Sequence, residues 1–197
     1  KVTVNLNEQA TAKKLTQRNF DCVLLASGTV AGAPPIDGVE MSHVTSAYDV
    51  ISLGLDNLGR VAVVGGDSLG CYAALYLASR SDSVDLYDAD EALGVNIGRS
   101  TRWVILKALR ENGVQQHPDT RVTGIYKRSI SVMSNGDFHE VPATTVVLAT
   151  RPQPRDRLLK QLELSGIRTE LIGSVTKRMN LLEIIHSSYE LANKLEL

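Results

Sequence analysis

Cysteine is scarce: the 197 residues hold two, Cys22 and Cys71, each among apolar neighbours. Two thiols cannot build a metal cluster by themselves, and both read as buried, inert side chains. Such low use suits a reducing compartment, so the cytoplasm is the expected location. No apolar run approaches the length needed to cross a bilayer, and no secretory leader pattern stands at the start. An excess of one charge is also missing. Lys and Arg total 21 against 22 Asp and Glu, with a net charge of −1 and no long basic run. That balance argues against nucleic acid or an anionic membrane surface as partner. There is no repeat of solenoid period and no low-complexity segment.

What is present is ordinary globular material, with 43% hydrophobic and 22% charged residues. The length suits one α/β domain or two small interleaved ones and supplies a core without a staple. The chain starts at Lys1 rather than methionine, as a fragment of a longer protein would.

Periodicity gives a coarse map. Val2–Leu6 alternates like a short strand, and Glu8–Thr16 reads as a polar helix. Phe20–Ala26 (FDCVLLA) is nearly continuous in apolar residues, as a parallel strand covered on both faces requires. A Gly- and Pro-rich loop leads to a helix over Ser46–Leu53. Val61–Val64 predicts a buried strand, Cys71–Ser79 a helix and Val84–Tyr87 the next strand, together a βαβ unit. A helix over Ser100–Glu111 places Trp103, Leu106 and Leu109 on related faces and stops at Gly113. A short strand, Val114–His117, follows it. Three alternating stretches come next, Arg121–Lys127, Ser129–Met133 and Phe138–Val141, with Asn135-Gly136 marking a hairpin between the last two. A buried strand at Thr145–Ala149, a helix at Asp156–Leu164, a strand at Thr169–Ile172 and a helix over Leu181–Leu195 complete the map.

The chemistry concentrates where the first buried strand of the βαβ unit turns into its helix, at Gly65-Gly66-Asp67-Ser68-Leu69-Gly70. A dinucleotide turn needs one glycine for the tight bend, one for close approach to the pyrophosphate and one for helix–strand packing. The helix start then offers N–H groups and a positive dipole end to phosphates. Gly65 and Gly70 fill the first and third places, while Asp67 takes the middle one, beside Gly66. A carboxylate about 4 Å from a phosphate costs roughly 1 kcal/mol in water and about 4 kcal/mol at an intermediate dielectric. Asp67 either opposes the ligand in this way or turns aside to cap the helix. Asp88, a little over twenty residues beyond Gly65, stands where an acid accepts the ribose hydroxyls of NAD and repels the extra phosphate of NADP. Its bland alternative is a solvated loop acid beside Asp90 and Glu91.

Longer stretches resemble a known family. FDCVLLASG with PPIDG downstream resembles the strand and turn that two-dinucleotide flavoproteins place between FAD and NAD domains, with Ser27 in place of their threonine. TTVVLATRPQPR resembles the return strand, with Arg151 and Arg155 replacing its glycine and asparagine. ELIGS, Glu170–Ser174, resembles the segment that reaches the flavin. LGVNIGRSTRWVILKALRENGV, Leu93–Val114, is the most specific match and is similar to the NADH:flavin oxidoreductase group that includes 2,4-dienoyl-CoA reductase and trimethylamine dehydrogenase. The likeness runs over nearly the whole chain.

The resemblance implies an α/β fold: a Rossmann-like parallel sheet with a three-stranded antiparallel insertion, the NAD(P)-type domain at 45–148. That domain is nested in a partial FAD-type domain formed by 1–44 and 149–197. It implies FAD contacts at Ala26, Ser27, Gly28, Gly173 and Ser174, and NAD(H) contacts at Gly65–Gly70 and Asp88. The FAD domain's own glycine turn, and a barrel carrying FMN and an iron–sulfur cluster, would precede Lys1, so the FAD site is incomplete here. The implied function is a nucleotide-binding module that passes hydride or electrons between NAD(P)H and a flavin. The alternative is a vestigial domain that binds ADP or nothing and serves as scaffold, as trimethylamine dehydrogenase-like members suggest. Strand edges left by a truncated FAD domain would favour self-association. A short-chain dehydrogenase is disfavoured because its Tyr-x-x-x-Lys pair is absent. No acid, base or nucleophile is assigned: His43, His117, His139 and His186 are scattered and read as surface residues, and Ser187-Ser188 is unremarkable. Arg99, Arg102 and Lys107 either neutralise phosphates or form a solvated helix face, the latter being the simpler reading.

Overall fold

The computed structural model describes residues 2–150, 152–175 and 181–195; Arg151 of the return-strand motif lies outside them. Contacts divide the chain into two units, residues 1–30 with 152–197, and residues 31–151. In chain order the first contributes α1 (Ala12–Gln17), β1 (Val23–Leu25) and β2 (Thr29–Val30). The second comprises β3 (Val44–Ser46), α2 (Ala47–Leu53), β4 (Arg60–Val64), α3 (Ser68–Ala78), β5 (Ser83–Tyr87), α4 (Arg99–Glu111) and β6 (Gln115–His117). It continues through β7 (Thr120–Ile125), β8 (Ser129–Ser134), β9 (Asp137–Pro142) and β10 (Thr145–Leu148). The first unit resumes with β11 (Gln153–Pro154), α5 (Arg157–Leu164), β12 (Thr169–Leu171), a 3₁₀ turn at Gly173–Val175 and α6 (Leu181–Lys194).

The second unit is a three-layer α/β structure. Its central sheet runs β3-β10-β4-β5-β6, with every pairing parallel. Strand β4 shows why its sequence is apolar without interruption. Val61 and Val63 face one buried cluster, with Ala73, Ala74 and Leu77 of α3 and Leu109 of α4. Ala62 and Val64 face the other, with Val122, Ile125, Ile130 and Val132 of the antiparallel sheet β7-β8-β9. A parallel strand covered on both faces has no position left for a polar side chain. The β8–β9 turn places Asn135 at φ 52° and Gly136 at φ 88°, the left-handed pair that a two-residue hairpin demands. Residues 31–44 pack within this unit: Ile36, Val39 and Val44 lie against the second cluster, and the Ile125 N–H donates to the Asp37 carbonyl at 2.8 Å.

The first unit is thinner. β1 pairs with β12 in parallel and β2 with β11 antiparallel. Among its described residues only Leu25, Leu162 and Val175 are buried hydrophobics, and α6 buries none. Residues 2–6 carry no secondary structure, contrary to the expected strand, and Val2, Val4 and Leu6 are exposed. Period-two alternation makes a strand only where a ladder satisfies the backbone, and no partner strand reaches these residues among those described. Two smaller expectations also change. Trp103 is 62% exposed rather than sharing the inward face of Leu109, and Cys22 is half-buried, whereas Cys71 is fully buried.

Burial first, then the charges of Asp67 and Asp88, pushes the Cys71 thiol from 9.0 up to about 11. The folded chain therefore favours the neutral thiol. Its contribution to stability is complete below about pH 9 and is lost as the pH rises through about 11. Thermal unfolding followed by circular dichroism should show Tm falling over that window, with a smaller fall for Cys71→Ala; equal profiles would contradict the assignment.

Candidate dinucleotide site

The turn after β4 is shaped by two glycines. Gly65 has φ 108°, and a Cβ there would lie 2.6 Å from the Ala149 carbonyl oxygen of the neighbouring strand's end. At Gly70 a Cβ would overlap the Gly65 carbonyl, so only glycine lets α3 leave the strand so closely. These are the bend and packing roles expected of the first and third glycines. Gly66 does something different from the approach glycine: its missing Cβ makes room for the Leu93 side chain and for Asp88.

Asp67 occupies the N-cap position of α3 with extended backbone, φ −66° and ψ −178°, and makes no side-chain cap hydrogen bond. The capping role anticipated for it is therefore not taken. Asn96 supplies it from a distance. Its Oδ1 accepts the Ser68 N–H at 2.8 Å, and its Nδ2 donates to the Ser68 hydroxyl at 2.9 Å. Nothing in the sequence pattern singled out Asn96; the available signal was its place in the most specific family-like stretch.

Asp88 follows β5 directly. Its carboxylate accepts the Gly66 N–H on Oδ2 and the Asp90 N–H at 2.8 Å on Oδ1. Its own N–H donates to the His117 carbonyl at 3.1 Å, and its carbonyl accepts from Thr120 at 2.7 Å. The solvated-loop alternative is thus excluded, because the side chain ties the glycine turn to the tip of β5. An ionised carboxylate offers about four acceptor directions, so capacity remains for ligand hydroxyls.

Beside these groups lies a cleft of about 450 Å³ at the carboxyl ends of β4, β5 and β10, where ligands of open parallel sheets bind. Gly65, Asp67, Asp88 and Asp90 line one part, Thr120–Thr123 with Arg121 another, and Pro34, Pro35 and Ile36 a third. Among the described lining residues, three carboxylates thus meet one guanidinium. Pro34, Pro35 and Ile36 of the PPIDG motif prove to be a cleft wall, a role their sequence did not suggest.

The remaining predicted residues gather in the first unit. Ala26, Ser27 and Gly28 follow β1, and Gly173 and Ser174 follow β12, at the same end of that parallel pair. Ser27 Oγ donates to the Arg155 carbonyl at 2.8 Å and the Arg155 N–H donates to Gly28 at 3.0 Å. Of the α4 cations, Arg102 donates to the Leu93 carbonyl at 2.7 Å and Lys107 pairs with Glu111 at 3.6 Å; neither they nor Arg99 lines the cleft. Two histidines depart from the surface reading. His117 is half-buried, stacked 4.5 Å from Tyr87 with Nε2 2.8 Å from Asp85 Oδ1, and His43 is half-buried with its Nε2 enclosed.

The family model described as pyridine nucleotide-disulphide oxidoreductase matches residues 1–179. The chain belongs to the pyridine nucleotide-disulphide oxidoreductase family. Bilirubin reductase of Mediterraneibacter gnavus is 28% identical over 177 residues, covering 90% of this chain and 28% of the relative. An NADH oxidase of Thermoanaerobacter brockii is 26% identical over 197 residues, covering 97% of this chain and 30% of the relative. The solved structure of a 2-naphthoyl-CoA reductase superposes with a TM-score of 0.85 at 20% identity, covering 96% of this chain and 29% of that one. The resemblance to the NADH:flavin oxidoreductase group, and the Rossmann-like fold with its antiparallel insertion, are borne out. The chain spans less than a third of the length of these relatives. A family member of this type is a dinucleotide-binding oxidoreductase domain.

Gly70→Ala should destabilise the chain by about 3 kcal/mol or more in urea unfolding, because the added methyl meets backbone rather than a side chain that can rotate away. A change below about 1 kcal/mol would show that α3 does not need the close approach.

Proposed function

We propose that residues 45–148 form the NAD(H)-binding module of a flavin-dependent oxidoreductase, and that 1–44 with 149–197 are part of its FAD-type domain. The observation that carries this reading is Asp88, held by two backbone N–H groups beside the glycine turn at the mouth of the cleft. The residues fit a dinucleotide: Gly65 and Gly70 leave the space a Cβ would fill, and Asp67, the N-cap residue of α3, lines the cleft. Asp88 would accept the adenosine ribose hydroxyls and oppose a 2′-phosphate, which favours NAD over NADP. The start of α3, Ser68 and Leu69, would hold the pyrophosphate with backbone N–H groups, because the Gly65 and Gly66 N–H groups already donate to the Tyr87 carbonyl and the Asp88 carboxylate. When bound, a reduced nicotinamide supplies hydride to a flavin, and the protein's part is to hold the two in place.

Ala26–Gly28 and Gly173-Ser174 are the residues of the first unit we assign to the FAD. The scarcity of buried hydrophobics around them supports an incomplete FAD-type domain, finished by another segment of the same protein. The barrel with FMN and iron–sulfur cluster belongs, on this reading, to that remainder, and a cytoplasmic location goes with it. The unpaired edges of its two-stranded sheets also suit self-association when that segment is missing.

A second reading has its own observation. Among the described residues that line the cleft, Asp67, Asp88 and Asp90 meet one cation, Arg121, an arrangement that resists a diphosphate. A vestigial domain that acts as a scaffold would look the same. Calorimetry with NADH and NADPH separates the two. The hydride-module reading expects micromolar NADH binding, NADPH weaker by at least about tenfold, and an Asp88→Ala loss of about tenfold, the worth of one or two hydrogen bonds. Absence of binding by both the natural chain and Asp67→Gly would leave the scaffold.

A further inference from the structure

The Ser68 N–H is one of the groups a phosphate at the start of α3 would use, and it is already taken. Asn96 Oδ1 accepts it at 2.8 Å, while Asn96 Nδ2 donates to Ser68 Oγ at 2.9 Å. This two-bond clasp satisfies the helix start as a capping side chain would, at the point where Asp67 makes no cap bond. The amide oxygen therefore occupies the position that a phosphate oxygen seeks.

The surroundings show how such a clasp would open. Asn96 is exposed, although the loop that carries it is anchored just before it, at Leu93 and Gly94. Leu93 is buried against Gly66, the Gly94 N–H donates to the Gly66 carbonyl at 2.6 Å, and Arg102 Nε holds the Leu93 carbonyl at 2.7 Å. Rotation of the Asn96 side chain into solvent frees Ser68 without moving the loop backbone. Two other turn amides are engaged from within the chain and differ in this respect: the Gly65 N–H donates to the Tyr87 carbonyl at 2.8 Å, and Asp88, the acceptor of the Gly66 N–H, is fixed by the Asp90 N–H as well.

We propose that Asn96 is an affinity-setting residue of the dinucleotide site: its side-chain amide stands in for a phosphate at Ser68 and must swing aside before a diphosphate can bind. The inference rests on reading the cleft as a nucleotide site. It makes phosphate affinity a property of a closed-to-open equilibrium, in which the apparent affinity is the intrinsic one scaled by the open fraction. The effect is confined to the phosphates, since Asn96 does not line the cleft in which Asp88 would take the adenosine ribose.

The test is calorimetric titration of the full chain and of Asn96→Ala with ADP and with adenosine. The expected result is ADP affinity about tenfold higher in the variant, about 1.4 kcal/mol, with adenosine affinity unchanged. Adenosine bound equally by both proteins, with ADP affinity unchanged or lower in the variant, would overturn the clasp and leave the nucleotide site standing. Failure of both ligands with both proteins would overturn the site itself. If Asn96→Ala does not fold, the natural chain decides: the Asn96 side-chain amide resonances should shift as ADP is added, and fixed resonances alongside shifting Ser68 and Leu69 amides would overturn the proposal.

Discussion

With no side chain at Gly70, helix α3 approaches the end of β4 until its backbone meets the Gly65 carbonyl, and the site follows from that closeness. The turn between them is left too short to wander. Its first residue takes φ 108°, its second packs under Leu93 and Asp88, and its third becomes the helix N-cap. Asp88 then locks the turn to the neighbouring strand through the Gly66 N–H. A methyl group on Gly70 would separate strand from helix and carry the start of α3 away from the turn, and one on Gly65 would meet the Ala149 carbonyl at the end of β10. The local arrangement of turn N–H groups, helix start and Asp88 carboxylate is therefore a consequence of one backbone approach rather than of several independent choices.

The same logic separates what the sequence made legible from what it did not. β4 and β10 announced themselves because a central parallel strand, buried on both faces, must be apolar through its middle. Asn135-Gly136 announced its turn because few other pairs tolerate two left-handed residues. Gly65 and Gly70 were legible because their roles are steric, whereas Asp88 was marked only by its chain distance from Gly65, and its tie to the Gly66 N–H was not legible. Asn96 was not, since a side chain that caps a helix from a loop 28 residues away leaves no periodic trace. Nor could alternation at Val2–Leu6 reveal that no ladder would meet it. Asp67 was correctly marked as the departure in the turn, but its capping role depended on a side-chain geometry that spacing does not fix.

The two units differ in how their sequences are used. Residues 31–151 alternate helices and strands around two filled clusters, one on each face of the sheet. Residues 1–30 and 152–197 have comparable apolar content in places, with Phe20, Leu24, Leu164, Leu182 and Ile185 among them, yet leave these side chains exposed. Hydrophobic groups stabilise only by leaving water, so this unit holds driving force that its own elements do not satisfy. That imbalance agrees with relatives more than three times as long as the chain.

The account stands or falls on where a dinucleotide lies. A crystal structure of the chain grown with NAD is the most direct measurement. It should show the adenosine ribose on the Asp88 carboxylate, the pyrophosphate over Ser68 and Leu69, and the Asn96 side chain turned from Ser68. A nucleotide bound elsewhere, or a cleft unchanged with the Asn96–Ser68 bonds intact at saturating NAD, would contradict it.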